Sequence, residues 1–567
     1  MSRRSRQAYL VVILSGLLAA CGQGPAATGT GPQPSVSSSP SAAASPTSSP
    51  TPTSPPTPPP TPPPSPSAGP TPAPTATPRV VASVDLVAIQ ARRKGAWTSR
   101  ALGKLPTTQA APVATYVVGP DPMANRDDGR ISPTLVGSYL FLQMDDISPA
   151  DIVRHAATFD ALFIRSALMS FVDYSSGRVL GWDRTTIGFP LDVAGTVRVA
   201  NKRGIPVFLE LNDSVYIPGP IGSGVTKLVK ADNVARTIRY LAGLADRGLE
   251  VAGVTFGDEW GDEAGFGARK PTFLNSDVVG RFIDYATALK RRFPLLKVYA
   301  FDSSIGAASG ELDQYWDAFA RIRAGELDRG LTLLDGFAFR ESYVYIDAGG
   351  ELAPSQAILD DTESLARDAP VLRHDTDGSV GSRTDRDYLH TLLTKTASVF
   401  GRRIDIALTE YLPAGPVQIS ESDTSRYDDI DFVVHYADVV GTYAALGLDT
   451  VSSFAFADSP QQAEAYIDRS GRRGASYPVH EQLAGHLSGT MLAVGASVPY
   501  ETVRVKVHAA RNAAGTFVML LNKDASLART VRLTVEGDLD LVVTLPARSY
   551  TSLLLHGDDV VVSCIGG

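Results

Sequence analysis

The run Val251-Ala252-Gly253-Val254-Thr255-Phe256, continued at once by Gly257-Asp258-Glu259-Trp260-Gly261, carries the choice of fold. Six residues rich in Val and Phe read as a buried strand. Residues 257–261 lack the Gly-rich spacing that cradles a phosphate in an open doubly wound sheet. The run is the fourth of eight; the others are 137–143, 161–166, 206–211, 297–301, 334–339, 404–409 and 450–456. Helical stretches separate them. Residues 148–159 open with Ser-Pro, a helix-start signal. Residues 277–293 set Val278, Phe282, Tyr285, Ala286 and Leu289 in one stripe, with Lys290, Arg291 and Arg292 at the C-terminal end, where the helix dipole favours cations. Eight such units predict an α/β fold, a (β/α)8 TIM barrel, which places its functional residues at the C-terminal ends of the strands. Polar residues gather there: Asp145-Asp146, Asn212-Asp213, Asp258-Glu259, Asp302, Arg340-Glu341, Glu410 and Asp458.

After about residue 490 the pattern changes to alternation without helices. Runs at 503–509, 516–521, 530–535, 541–545 and 549–555 predict an accessory antiparallel β-sandwich, and the alternating segment 80–89 is suited to pair with it. The expected division is a signal peptide at 1–20, a disordered linker at 21–78, an N-terminal segment at 79–130 with the option of joining the sandwich, the barrel at 131–489 and the sandwich at 490–567.

The signal segment has Arg3, Arg4 and Arg6 before an apolar run from Tyr9 to Leu18, then Ala19-Ala20-Cys21. That run is shorter than the roughly 20 residues a membrane-spanning helix needs. The small residues before Cys21 resemble the lipobox of bacterial lipoproteins, which implies lipidation of Cys21 and an exported protein anchored to a bacterial membrane, facing outside the cytoplasm. An ordinary secretory signal with an incidental Cys is the other reading, and it too exports the chain. From residue 22 to 78 the sequence is almost all Pro, Ser, Thr, Ala and Gly, with nothing apolar to offset the entropy of ordering it. Its Pro-rich stretches favour extended polyproline II at about 3.1 Å per residue, a long stalk.

The net charge is −8 with no basic block, so nucleic acid is not an expected partner. The cysteines are Cys21 and Cys564, so a lipidated Cys21 leaves no intrachain disulfide and stability rests on packing. With 8 His and neither HExxH nor GxSxG, no metal, no cofactor and no serine nucleophile is expected. The segment His374-Asp375-Thr376-Asp377-Gly378 reads as a surface turn before a cation site. A monomer is expected.

Glu259 and Glu410 stand just past the fourth and seventh runs, positions that face each other across the mouth of a closed eight-stranded barrel. Glycoside hydrolysis needs such a pair: one carboxyl protonates the departing oxygen and one carboxylate attacks the anomeric carbon, about 5–5.5 Å apart in retaining enzymes. Among 60 acidic residues some follow apolar runs by chance, and Glu263 and Glu341 are near rivals. Glutamate at runs four and seven of eight is a narrower coincidence than acid at any strand end.

The strings Val254-Thr255-Phe256-Gly257-Asp258-Glu259-Trp260 and Ile406-Ala407-Leu408-Thr409-Glu410-Tyr411 resemble those of glycoside hydrolase clan A, as do the C-terminal sandwich and the lead-in Tyr477-Pro478-Val479-His480. The resemblance covers most of the folded body. It implies a retaining enzyme with Glu259 as acid/base, Glu410 as nucleophile and an oligo- or polysaccharide substrate. It also implies that Arg165 holds Glu410 ionised by a charge-assisted hydrogen bond and that Tyr343 contacts it.

Asn212, Asp213 and Asp302 are candidates for sugar hydroxyls, and Trp182, Trp260 and Tyr411 for flat contacts with pyranose rings. Arg165 and Asp302 have the alternative of a structural ion pair, Trp260 of a core residue and Trp182 of a loop anchor. One departure matters: the clan has Asn before the acid/base, and this chain has Asp258. An ionised Asp only accepts hydrogen bonds, and its charge raises the pKa of Glu259, which helps an acid stay protonated. A carbohydrate-binding protein with a degenerate barrel is therefore the alternative reading.

Overall fold

In the computed structural model the fourth run forms a strand over Gly253–Phe256, paired in parallel with Val207–Leu211 on one side and Lys297–Ser304 on the other. The structure describes residues 78–566 except 92–94, 126–127, 142–147, 166–170, 174–177, 181–192, 212–214, 219–225, 230–232, 257–275, 305–310, 345–354, 361, 364–372, 375–379, 382–384, 415–429, 455, 459–466 and 469–470. Eight parallel strands close the barrel in chain order: β1 Val136–Phe141, β2 Ala161–Arg165, β3 Val207–Leu211, β4 Gly253–Phe256, β5 Lys297–Ser304, β6 Gly336–Val344, β7 Asp405–Ala414 and β8 Thr450–Phe454. Each is followed by a helix: α1 Pro149–His155, α2 Val193–Lys202, α3 Asn233–Ala245, α4 Ser276–Arg292, α5 Glu311–Arg329, α6 Asp385–Phe400, α7 Ile430–Leu446 and α8 Tyr477–His486. The start of α1 shows why the local sequence suffices: Pro149 opens the helix, and the Asp151 carboxylate accepts the Ser148 N–H at 3.0 Å.

The barrel is filled, not hollow. Tyr139, Phe163, Phe208 and Tyr299 point inward from β1, β2, β3 and β5, with Ala161, Ala338 and Ala407 beside them. The Phe163 and Phe208 rings stack at 4.7 Å, and Tyr299 lies 5.2 Å from Phe208. β4 and β6 lack a large residue in this layer and carry glycine where a neighbour's ring presses on the backbone. A Cβ on Gly336 would come within 2.4 Å of the Tyr299 ring, closer than packed atoms tolerate.

Acidic residues ring the N-terminal end. Asp160, Asp335 and Asp449 each stand one residue before a strand, and each grips the strand before it in the same way. The Asp335 N–H donates to the Val298 carbonyl at 2.8 Å, and its carboxylate accepts the Val298 N–H at 2.7 Å. Asp449 does the same with Ile406 at 2.8 and 2.7 Å, and Asp160 with Val136 at 2.6 and 3.3 Å. Asp405, at the foot of β7, receives Lys297 at 2.7 Å, the Tyr299 hydroxyl at 2.8 Å and Arg403 at 2.6 Å. These carboxylates satisfy strand N–H groups and cations at the stability end of the barrel.

Asp335 also meets Lys290 at 2.5 Å and Asp449 meets Arg403 at 2.6 Å, whereas burial dominates at Asp160. Burial pushes its carboxyl from 3.8 up to about 7, against the smaller opposing pull of the Val136 N–H. A folded pKa above the unfolded one means that stability is greatest below pH 3.8 and is lost as pH rises through about 7. Asp160→Asn is therefore expected to raise stability by about 1–3 kcal/mol at pH 8, with the gain vanishing at pH 4. Denaturant unfolding at both pH values checks this.

The second body is a ten-stranded sheet system folded into a sandwich, larger than the five C-terminal runs imply. One sheet holds Val80–Asp85, Leu539–Leu545, Arg529–Val535, Ala114–Pro122 and Thr490–Ala496; the other holds Val505–Asn512, Gly515–Asn522, Ser549–His556, Asp559–Gly566 and Thr98–Ala101. Thr490–Ala496 joins them by pairing with Val505–Asn512 at its start and with Ala114–Pro122 beyond. Most pairs are antiparallel. Val80–Asp85 and Ala114–Pro122 instead add in parallel to Leu539–Leu545 and Arg529–Val535. Residues 500–503, whose last position opens the run read as a strand from 503, form a helical turn.

Between the two bodies lies α7. It is buried from Ile430 to Ala444 because the barrel covers one side and the second sheet the other. Gly441 permits that contact: a Cβ there would meet the His508 ring at 2.7 Å.

Candidate active site

The C-terminal end of the barrel departs from simple alternation in two places. The β5–β6 register runs Phe301 to Ala338 and then Ser303 to Phe339, so Asp302 is an extra residue. The β6–β7 register runs Phe339 to Leu408 and then Arg340 to Glu410, so Thr409 is another. The Thr409 hydroxyl donates to the Phe339 carbonyl at 3.0 Å. Bulges of this kind are common at barrel rims and beside active sites, where they change which side the following residues face. Here one is a candidate residue and the other immediately precedes one.

Beyond the bulges β6 and β7 stay paired as far as Val344 and Ala414. Asp302, Tyr343, Glu410 and Tyr411, read from the sequence as lying past the runs, are thus within strands. The physical reason is that ladder bonds are made by backbone groups, and a polar side chain does not end a ladder whose partner continues. Tyr343 stands opposite Pro413, and Tyr411 opposite Glu341. Arg165 is the last residue of β2, opposite Phe141. These candidates are located by their backbone at the C-terminal ends of β2, β5, β6 and β7. β4 ends at Phe256, three residues before Glu259 in the chain. Glu259, Asp258, Trp260, Asn212, Asp213, Trp182 and Cys21 lie outside the described residues.

One acidic residue at this end escapes the sequence reading. Glu210 on β3 is 1% exposed, and the Tyr139 hydroxyl donates to its Oε2 at 3.4 Å across the barrel interior. The signal is present in Pro206-Val207-Phe208-Leu209-Glu210-Leu211, where the acid sits inside the run, two residues from inward-facing Phe208. The aromatic layer of Tyr139, Phe163, Phe208 and Tyr299 makes a dry floor, and Glu210 is one pleat nearer the mouth than Phe208. Among the described residues no group of three or more His, Cys, Asp or Glu side chains is arranged to hold a metal ion.

No protein-family model matches the chain, and no curated protein matches it in sequence. Solved structures do. A family 51 α-L-arabinofuranosidase from Bifidobacterium longum aligns over 80% of this chain and 100% of its own at a TM-score of 0.53 and 13% identity. A family 44 xyloglucanase from Paenibacillus polymyxa aligns over 81% and 100% at 0.53 and 13%. A family 44 endoglucanase from Clostridium thermocellum aligns over 80% and 100% at 0.51 and 14%. In fold the chain is similar to these glycoside hydrolases. Their whole length is covered, so the likeness takes in the TIM barrel and the β-sandwich together.

Proposed function

We propose that the protein is a retaining β-glycosidase or endo-β-glycanase acting on extracellular or cell-surface polysaccharide. Glu410 attacks the anomeric carbon and forms a glycosyl-enzyme intermediate. Glu259 first protonates the leaving oxygen and then deprotonates the incoming water. The observation that carries this reading is the strand count: in a barrel closed in chain order, Glu410 belongs to the seventh strand and Glu259 follows the fourth. The fold likeness to glycoside hydrolases supports the same reaction class.

Arg165 and Tyr343 assist Glu410, with Asn212, Asp213, Asp302, Asp258, Trp182, Trp260 and Tyr411 meeting the sugar. A lipid on Cys21 and the Pro-rich stalk hold the body outside the cytoplasm, within reach of a bulky substrate.

The deciding experiment incubates the protein with a panel of β-glycans and aryl β-glycosides and follows the anomeric configuration of the first product by NMR. Net retention is expected, and net inversion overturns the double displacement. Asp258 in place of Asn favours a second reading, a binding protein without turnover. Binding on a glycan array with no product from any bound glycan decides for it.

A further inference from the structure

Residues 345–384 lead from the end of β6 to the start of α6, several times the roughly 2–6 residues of an ordinary βα connection. Both ends lie at the C-terminal face of the barrel, where strands finish and the following helices begin. Between them a short helix, Ser355–Asp360, packs against α7 and buries Ile358 and Leu359 in the core cluster of the barrel helices. The polar side chains of the same stretch reach the sandwich. The Gln356 amide donates to the Lys523 carbonyl at 2.9 Å and accepts the Ala525 N–H at 3.0 Å, a two-way clasp on the turn between Gly515–Asn522 and Arg529–Val535. Asp360 accepts the Tyr500 hydroxyl at 2.5 Å and faces Arg504 at 3.5 Å. Thr362 and Glu363 receive the Lys523 ammonium, and Glu363 also receives Lys506. The sandwich presents these groups on one surface. The Lys523 N–H donates to the Arg504 carbonyl at 2.8 Å, and Arg504 keeps a left-handed φ of 50°, a conformation that its surroundings must maintain.

We propose that the sandwich is a positioning element for the barrel: through Gln356, Asp360, Thr362 and Glu363 it pins the middle of the β6–α6 connection, and so sets how that connection leaves β6 and enters α6. Ordering a connection of this length costs entropy residue by residue. Four anchored side chains meet that cost before any ligand arrives, which is preorganisation. Resting on the glycosidase reading, the pinning serves the binding of a glycan that extends beyond the cleaved bond. It does not serve the chemical step, because Glu410 and Glu259 belong to the seventh strand and to the segment after the fourth. The substrate class it favours is a polymer or long oligosaccharide over a single glycosyl unit.

Two measurements on the full chain test this. The first needs no activity: hydrogen exchange, read by mass spectrometry, of the wild type and of Gln356→Ala combined with Tyr500→Phe. The two changes remove one contact from each side of the interface and no charge. Exchange about tenfold faster or more is expected in peptides covering 355–363, with β7 and Gly515–Asn522 unchanged. Unchanged exchange at 355–363, or an equal rise throughout the chain, overturns the pinning. Should the double variant fail to fold, Gln356→Ala alone is held to the same outcomes.

The second is kinetic. On the polysaccharide that the wild type cleaves fastest, the double variant is expected to raise KM about five- to tenfold with kcat within about twofold. On the shortest aryl β-glycoside that it cleaves, kcat/KM is expected to stay within about twofold. An unchanged KM, a loss in kcat alone, or equal losses on both substrates overturns the positioning role. Wild-type protein without hydrolytic activity rejects the glycosidase reading and leaves hydrogen exchange to decide the pinning.

Discussion

Glu410→Ala is expected to lower kcat by about four orders of magnitude or more while leaving the unfolding transition in place. The nucleophile is the covalent partner of the sugar, so removing it leaves only binding and the acid, and single nucleophile deletions in covalent enzymes cost on this scale. Glu259→Gln is expected to behave differently, and the difference is diagnostic. Gln cannot protonate a leaving oxygen, so a poor leaving group such as a sugar hydroxyl loses about 10²–10⁴ in rate. A phenolate of low pKa needs no proton to depart, so an aryl glycoside still glycosylates Glu410 at nearly the normal rate. The second step still lacks its base. A burst of phenol followed by slow turnover should therefore appear in stopped-flow records of Glu259→Gln. Normal turnover of a polysaccharide by either variant sinks the assignment.

The second large effect is expected far from the mouth, where Lys523 is wholly buried between the barrel and the sandwich. Its ammonium meets Asp438 of α7 at 2.5 Å, Glu363 at 3.0 Å and the Thr362 hydroxyl at 2.6 Å. Lys506 reaches Glu363 at 3.0 Å, and His508 meets Asp438 at 2.8 Å. Burial opposes charge on Asp438, Glu363 and Lys523, yet their mutual attraction wins. Asp438 is held well below its ordinary 3.8 by Lys523 and a hydrogen bond from His508, and Glu363 below 4.5 by Lys523 and Lys506, each against burial. Lys523, which burial alone would pull down, is held above 10.5 by Asp438 and Glu363.

Lys523→Met is expected to cost about 3–5 kcal/mol, since it leaves two carboxylates without their central cation. Adding Asp438→Asn should recover part of that loss. The sign of the pH dependence comes from the directions of the shifts. Depressed carboxyl pKa values give stability that is present above 4.5 and is lost as pH falls through the folded values, while the raised Lys523 gives stability present below 10.5 and lost as pH rises beyond it. Guanidinium unfolding across this range measures both limbs. A loss below about 1 kcal/mol for Lys523→Met would mean that the cluster behaves like an exposed ion pair.

The contrast between these two places shows how far a linear reading reaches. The eight runs are legible because strand and helix are local: apolar side chains at period two or 3.6 declare themselves within a dozen residues. Strand ends are less legible. Asp302 and Glu410 read as following their runs, whereas the β5–β6 ladder continues past Asp302 and the β6–β7 ladder past Glu410. Glu210 escapes notice because an acid inside an apolar run looks like an interruption. Its value to the barrel appears once Tyr139, 71 residues earlier in the chain, is seen to reach it. The sandwich is underestimated for a related reason. Ala114–Pro122 contains Gly119-Pro120-Asp121-Pro122, a turn signal on composition, yet its first half is held between Thr490–Ala496 and Arg529–Val535.

Periodicity and turn chemistry along the chain are therefore enough to specify a βα-repeating barrel with a strand-rich C-terminal partner, since each depends on neighbours a few residues away. The bulges at Asp302 and Thr409, the aspartates that clasp the feet of the strands, and a lysine without solvent between two bodies come from folding alone. Each requires groups distant in sequence, such as Lys523 and Asp438, 85 residues apart, to meet in a space from which water has been expelled. Only there does an ordinary surface-type residue become a determinant of register, charge and stability.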